Sequence, residues 1–220
     1  MKKQLLAVGD SFTYGEELDD IYQAWPYRLA DKIDYEVNNQ GLNGSSNASI
    51  LRRTLEELST TSYHLVIVGW TIPGRIEWKD ADGPAYDVWP GYHMSEQFLD
   101  KTPWRMNLVE FVSQHHCAAY LYQQYLQQVI LLQSYCEVKQ IRLLMMDIFH
   151  NNYYRSAGQA QHNMLASQVN PINFVGWGQF GMYELTSRLP RGPGLHPLIR
   201  GHQKIADTFD EHLRNIGWIS

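Results

Sequence analysis

A serine stands at a revealing place near the start of the chain, where the apolar run Leu5 to Val8 gives way to Gly9-Asp10-Ser11 in the stretch GDSFTYG. A strand end that runs into a helix is where α/β proteins expose a nucleophile. A serine hydroxyl is a poor nucleophile until a base takes its proton. His196, in Gly194-Leu195-His196-Pro197, is the candidate base, because imidazole accepts and returns a proton near neutrality. His202, six residues on and inside a helical pattern, reads as a support of the fold instead. Attack on an ester carbonyl builds an oxyanion, which needs aimed donors. The backbone N–H of Ser11 is one candidate.

These residues need a scaffold that brings them together. Leu5 to Val8 reads as a first strand, Gln23 to Ile33 as a helix with Pro26 in its first turn, and Tyr35 to Asn38 as a second strand. Asn47 to Leu58 has helical spacing of Ala48, Leu51, Leu55 and Leu58, and His64 to Val68 is a continuous apolar run of the kind a parallel strand buries on both faces. Lys79 to Arg105, rich in Asp, Gly, Pro and aromatics, is an irregular insertion. Leu108 to Tyr135 reads as one long or broken helical region, Ile141 to Phe149 as a strand, Asn151 to Arg191 as irregular, and Ile199 to Ile216 as a final amphipathic helix. Alternating strands and helices predict a single α/β domain over residues 1–220, three layers with a parallel sheet. Ligands bind such sheets at the carboxyl ends of the strands. Ser11, the Gly41 to Ser46 turn, Trp70-Thr71 and Asp147 all fall on that edge.

The turns GDSFTYG, NNQGLNGSSN and VIVGWTIPGR, followed by GLHPLIRGHQKIAD before the last helix, resemble in order and spacing the SGNH (GDSL) hydrolase superfamily. The resemblance spans almost the whole chain and implies a flavodoxin-like sheet and acyl-ester hydrolysis without a cofactor. It implies Ser11 as nucleophile, His196 as base, Ser11 and Gly44 N–H groups in the oxyanion hole (with Gly41 as the nearby alternative to Gly44), and Asp10 as a brace of the first turn. The chain departs from the pattern twice. The third block should present an asparagine, and Thr71 stands there, leaving Thr71, Asn43 or a backbone N–H to substitute. A DxxH pair would put an aspartate at position 193, and the chain has Pro193. The residue that orients the imidazole is thus missing from its usual spot. A backbone carbonyl of that loop, giving a Ser–His dyad, and Asp147 as a remote acid are the alternatives.

Asp10, Trp70, Arg75 and Asp147 are the candidate substrate contacts; Arg75 and Glu77 could equally pair with each other or with the insertion. Trp70, Trp78, Trp89, Trp104 and Tyr92 cluster around the insertion, and aromatic faces suit sugar rings or acyl chains. The expected substrate is therefore a small-molecule or carbohydrate ester. The rival reading is a binding or structural module, for instance of a viral particle, whose site has decayed. Adjacent His115 and His116 point in different directions on a helix and suggest no metal.

The composition fits a folded protein: 44% hydrophobic, 19% charged, with a net charge of -5. No basic cluster argues for nucleic acid or a membrane surface, and the longest apolar runs are too short to span a bilayer. The basic start of MKKQLLAVGDS leads into too short an apolar run for a secretory signal, so a cytoplasmic or virion-associated protein is expected. Cys117 and Cys136 lie along one helical stretch, too far apart for a disulfide, and read as core thiols.

Overall fold

The computed structural model describes residues 2–79, 85–88, 103–115, 117–157 and 164–219. Strands β1 (Lys3–Gly9), β2 (Tyr35–Gly41), β3 (Leu65–Trp70), β6 (Leu143–Asp147) and β7 (Phe174–Val175) form a parallel sheet in the order β2-β1-β3-β6-β7. Strands β4 (Ile76–Lys79) and β5 (Ala85–Val88) form a separate antiparallel pair. The helices are α1 (Ser11–Tyr14), α2 (Trp25–Ile33), α3 (Asn47–Thr60), α4 (Pro103–His115), α5 (Ala118–Val138), α6 (Asn152–Ala157), α7 (Met182–Leu185) and α8 (Ile199–Asn215).

Successive strand residues face opposite sides of a sheet, and the two cores follow that alternation. Leu5 and Ala7 of β1 with Leu65 and Ile67 of β3 pack against Trp25 and Leu29 of α2 and Ile205, Phe209 and Leu213 of α8. Leu6, Val8, Val66 and Val68 pack on the other face against Ile50 of α3 and Tyr125, Leu126 and Val129 of α5. Burial on both faces is why these strands read as unbroken apolar runs. Among the described residues, no helix is long and apolar enough to cross a membrane.

The elements differ from the sequence expectations at their ends and in the stretch Asn151 to Arg191, expected as irregular, which holds α6, β7 and α7. A short 3-10 turn (Ile21–Gln23) precedes α2, which starts at Trp25 with its proline in the first turn. The expected helical region from Leu108 is two helices, α4 and α5, interrupted around Cys117. Cys117 is exposed, not a core thiol, whereas Cys136 is buried. The expected irregular insertion contains β5, which returns to pair with β4, and its end already belongs to α4. Trp89 and Tyr92 lie outside the described residues, as does the side chain of Trp104. Trp78 is about half exposed on β4.

Candidate functional site

The carboxyl ends of β1, β2 and β3 carry three turns that meet at Asp10. Asp10 caps the one-turn helix α1 by accepting the Phe12 N–H at 3.0 Å, which leaves Ser11 as the first helical residue. The other Asp10 oxygen accepts the Thr71 hydroxyl at 2.8 Å and pairs with Arg75 at 2.9 Å. Arg75 also donates to the Ser45 carbonyl, and Asn47 clamps Thr71 by accepting its N–H and donating to its carbonyl. Arg53 adds bonds to the Gln40 and Gly9 carbonyls and to the Ser45 hydroxyl. The insertion reaches the same turn, since Asp87 of β5 accepts the Ser46 N–H at 2.9 Å.

The loop before α8 completes the site. His196 Nε2 lies 3.0 Å from Ser11 Oγ, and the Phe12 ring sits 5.6 Å from the imidazole centroid. His196 Nδ1 lies 2.8 Å from Glu17 Oε2. The Glu17 carboxylate also accepts the N–H groups of Gly194 at 2.7 Å and His196 at 3.1 Å. Burial pushes the Glu17 carboxyl up, but these donors outweigh it and hold the group below its ordinary range. Beside α1, Gly44 adopts a left-handed φ of 76° and is buried. Neither its N–H nor that of Ser11 donates to another group among the described residues. The Gly41 N–H, by contrast, is bonded to the Asn39 side chain. Among the described residues, no three His, Cys, Asp or Glu side chains group to hold a metal ion.

A family model described as a family of unknown function, DUF6071, matches residues 14–220. The chain belongs to that family. No curated protein sequence matches it. Solved structures resemble this DUF6071 protein over nearly its whole length. TesA is 18% identical with a TM-score of 0.56, covering 97% of this chain and 99% of its own. The psychrotrophic esterase EstA from a Pseudoalteromonas species is 13% identical with a TM-score of 0.59, covering 97% of each chain. A two-domain esterase active on acetylated mannans is 14% identical with a TM-score of 0.55, over 97% of this chain and 49% of that one. The fold is therefore that of the SGNH hydrolases.

Several sequence expectations are corrected in this DUF6071 protein. Thr71 is fully buried, its hydroxyl is given to Asp10 and its N–H to Asn47, so it has no donor left for an oxyanion. The Asn43 side chain donates to Glu16. Asp10 has no exposed surface and is a brace rather than a substrate contact. Trp70 is fully buried against Tyr125 and packs the core. Asp147 accepts the Tyr125 hydroxyl at 2.6 Å, so it is neither the remote acid of His196 nor a substrate contact. Burial, aided by the Glu184 charge, pushes its carboxyl up to about 7 against the Tyr125 hydrogen bond and the Arg155 charge. Arg75 pairs with Asp10, and Glu77 with Arg52. Arg75 reaches a cavity of about 230 Å3, lined also by Asn47, Pro73, Gln124, Tyr125 and Gln128. His202 is buried and accepts the Trp25 N–H at 3.1 Å, a bond between α8 and α2 that serves the fold. Glu17 was missed, for its contacts span the chain; the glycine pair of RGPGLH, which leaves room for a neighbour, was the available signal.

Proposed function

We propose that this protein is a serine esterase that hydrolyses an acyl ester through an acyl-serine intermediate. The observation that carries the reading is the 3.0 Å approach of His196 Nε2 to Ser11 Oγ, within reach for direct proton transfer. Ser11 Oγ attacks the acyl carbon while Nε2 takes its proton. The oxyanion is met by the N–H groups of Ser11 and Gly44, two donors without a partner among the described residues. Collapse expels the alcohol, which receives the proton from His196. Water then attacks the acyl-serine with His196 again as base, releasing the acid and restoring Ser11.

A small acyl group on a carbohydrate is the substrate class we favour. An esterase active on acetylated mannans shares the fold. The test is covalent labelling with a fluorophosphonate, read by intact mass and peptide mapping. Wild-type protein is expected to carry the adduct on Ser11, and Ser11→Ala and His196→Ala to carry none. Absence of any adduct on folded wild-type protein would replace this reading with a binding or structural module.

A further inference from the structure

Position 193, where the SGNH pattern places the acid that orients the base, is proline. We infer that Glu17, delivered from the turn that follows the nucleophile helix, is the positioning residue that takes over this task. The inference rests on the serine-esterase reading of Ser11 and His196.

The hydrogen bonds define the arrangement. Glu17 Oε2, 2.8 Å from Nδ1, is an acceptor once ionised, so Nδ1 carries the imidazole proton. The Nε2 lone pair is then left facing the Ser11 hydroxyl, the tautomer a general base requires. The same carboxylate fixes where the imidazole sits, because it accepts the backbone N–H groups of Gly194 and His196. One side chain thus sets both the tautomer of His196 and the path of its loop.

The loop is built to receive it. A Cβ at Gly192 would lie 2.5 Å from the Glu17 Cδ, and one at Gly194 would lie 3.1 Å from both Glu17 Oε2 and His196 Nδ1. The two glycines of RGPGLH therefore clear space for a carboxylate arriving from another turn. Glu17 and Leu195 both hold φ at 66°, a left-handed conformation that costs a side-chain-bearing residue free energy. Such conformations persist where surrounding contacts over-determine them, as the three hydrogen bonds to Glu17 do.

Glu17→Ala and Glu17→Gln test the inference, with 4-nitrophenyl acetate kinetics, thermal unfolding, and nitrogen-proton NMR of His196 at pH 8. Glu17→Ala is expected to lower kcat roughly 10²- to 10⁴-fold, as loss of an orienting acid does, with KM within about threefold. His196 is expected as the Nδ1–H tautomer in wild-type protein and to lose that preference in Glu17→Ala. Glu17→Gln keeps an acceptor beside Nδ1 but loses the charge, and is expected to fall between the two. Wild-type His196 found as the Nε2–H tautomer would overturn the inference, as would an Nδ1–H signal unchanged in Glu17→Ala. So would a kcat within about threefold in Glu17→Ala or, should that variant fail to fold, in Glu17→Gln. If wild-type protein neither turns over ester nor labels, the esterase reading falls, and the tautomer measurement still decides the role of Glu17.

Discussion

Replacing Thr71 by valine separates the two roles that its position allows. The side chain is fully buried, and its hydroxyl donates to Asp10 at 2.8 Å. Valine keeps the shape and removes that donor, leaving Asp10 with the Phe12 N–H and the Arg75 guanidinium. A hydrogen bond to a charged group contributes about 1.5–3 kcal/mol. For a chain of this size, each kcal/mol moves the melting temperature by about 2–4 °C. Thr71→Val is therefore expected to melt roughly 3–12 °C lower, as followed by calorimetry or circular dichroism. Its effect on Ser11 should be small: the fluorophosphonate labelling rate of folded protein should stay within about threefold of wild type. A donor in the oxyanion hole behaves in the opposite way, with little change in melting and a rate lower by about 10²–10³. That second pattern would refute the assignment of Thr71 to Asp10 and return it to the hole.

Three further expectations concern buried groups. Arg75→Met leaves the Asp10 carboxylate without its ion-pair partner, both groups being largely buried, and should cost about 3–5 kcal/mol in urea unfolding; a cost below about 1 kcal/mol would mean the pair is not what joins the turns. Asp147 is raised to about 7 in the fold, so the folded state holds a proton that the unfolded state gives up near pH 4; stability is lost as pH rises from about 4 to 7, by up to roughly 1.4 kcal/mol per unit. Asp147→Asn should then gain on wild type between pH 4 and pH 8, and a constant difference across that range would contradict the burial argument. His202 runs the other way: burial, with the Arg28 and His196 charges, pulls it down to about 3, so stability is lost as pH falls from about 6.5 towards 3. His202→Asn keeps an acceptor for the Trp25 N–H and should flatten the acid side of the stability profile, whereas an unchanged acid slope would mean that His202 does not titrate there.

What was legible in the sequence follows from how far each signal reaches. Strands buried on both faces announce themselves locally, so β1 and β3 stood out as LLAV and LVIV, and the glycine turns after them marked the edge on which Ser11 lies. The break between α4 and α5 was left open, as one long or broken helical region, because no proline or glycine marks an end between His115 and Ala118. The β4–β5 pair was hidden for a different reason. Its strands are four residues each, below the length at which alternation separates from chance, and Asp87 looks like a loop residue until it is seen to accept the Ser46 N–H. Trp70 and Asp147 sit at strand ends, where position alone suggests a ligand contact. Only the packing of α5 over the sheet shows that Tyr125 covers both.

The two departures from the SGNH pattern have unlike consequences. At position 193 the lost acid has a counterpart. The chemistry needs a carboxylate at Nδ1 and does not specify which loop supplies it, so the requirement is met by Glu17, 179 residues away. The glycine pair of RGPGLH marks the space but not its occupant, because a glutamate in a turn is unremarkable until its partner is known. At position 71 the outcome is different. Thr71, Asp10, Arg75 and Asn47 use their hydrogen bonds on one another and tie the first three strand ends together. That network stiffens the turns bearing Ser11 and Gly44 while adding no side-chain donor to them. Oxyanion stabilisation in this chain would then fall on two backbone N–H groups, and because a backbone donor cannot be removed by changing a side chain, the geometry of Gly44, at φ 76°, becomes the place to test it. Gly44→Ala, strained in that left-handed conformation, should slow Ser11 labelling well beyond what Thr71→Val does, at a similar or smaller loss of stability; equal labelling rates in the two variants would mean that Gly44 contributes no donor.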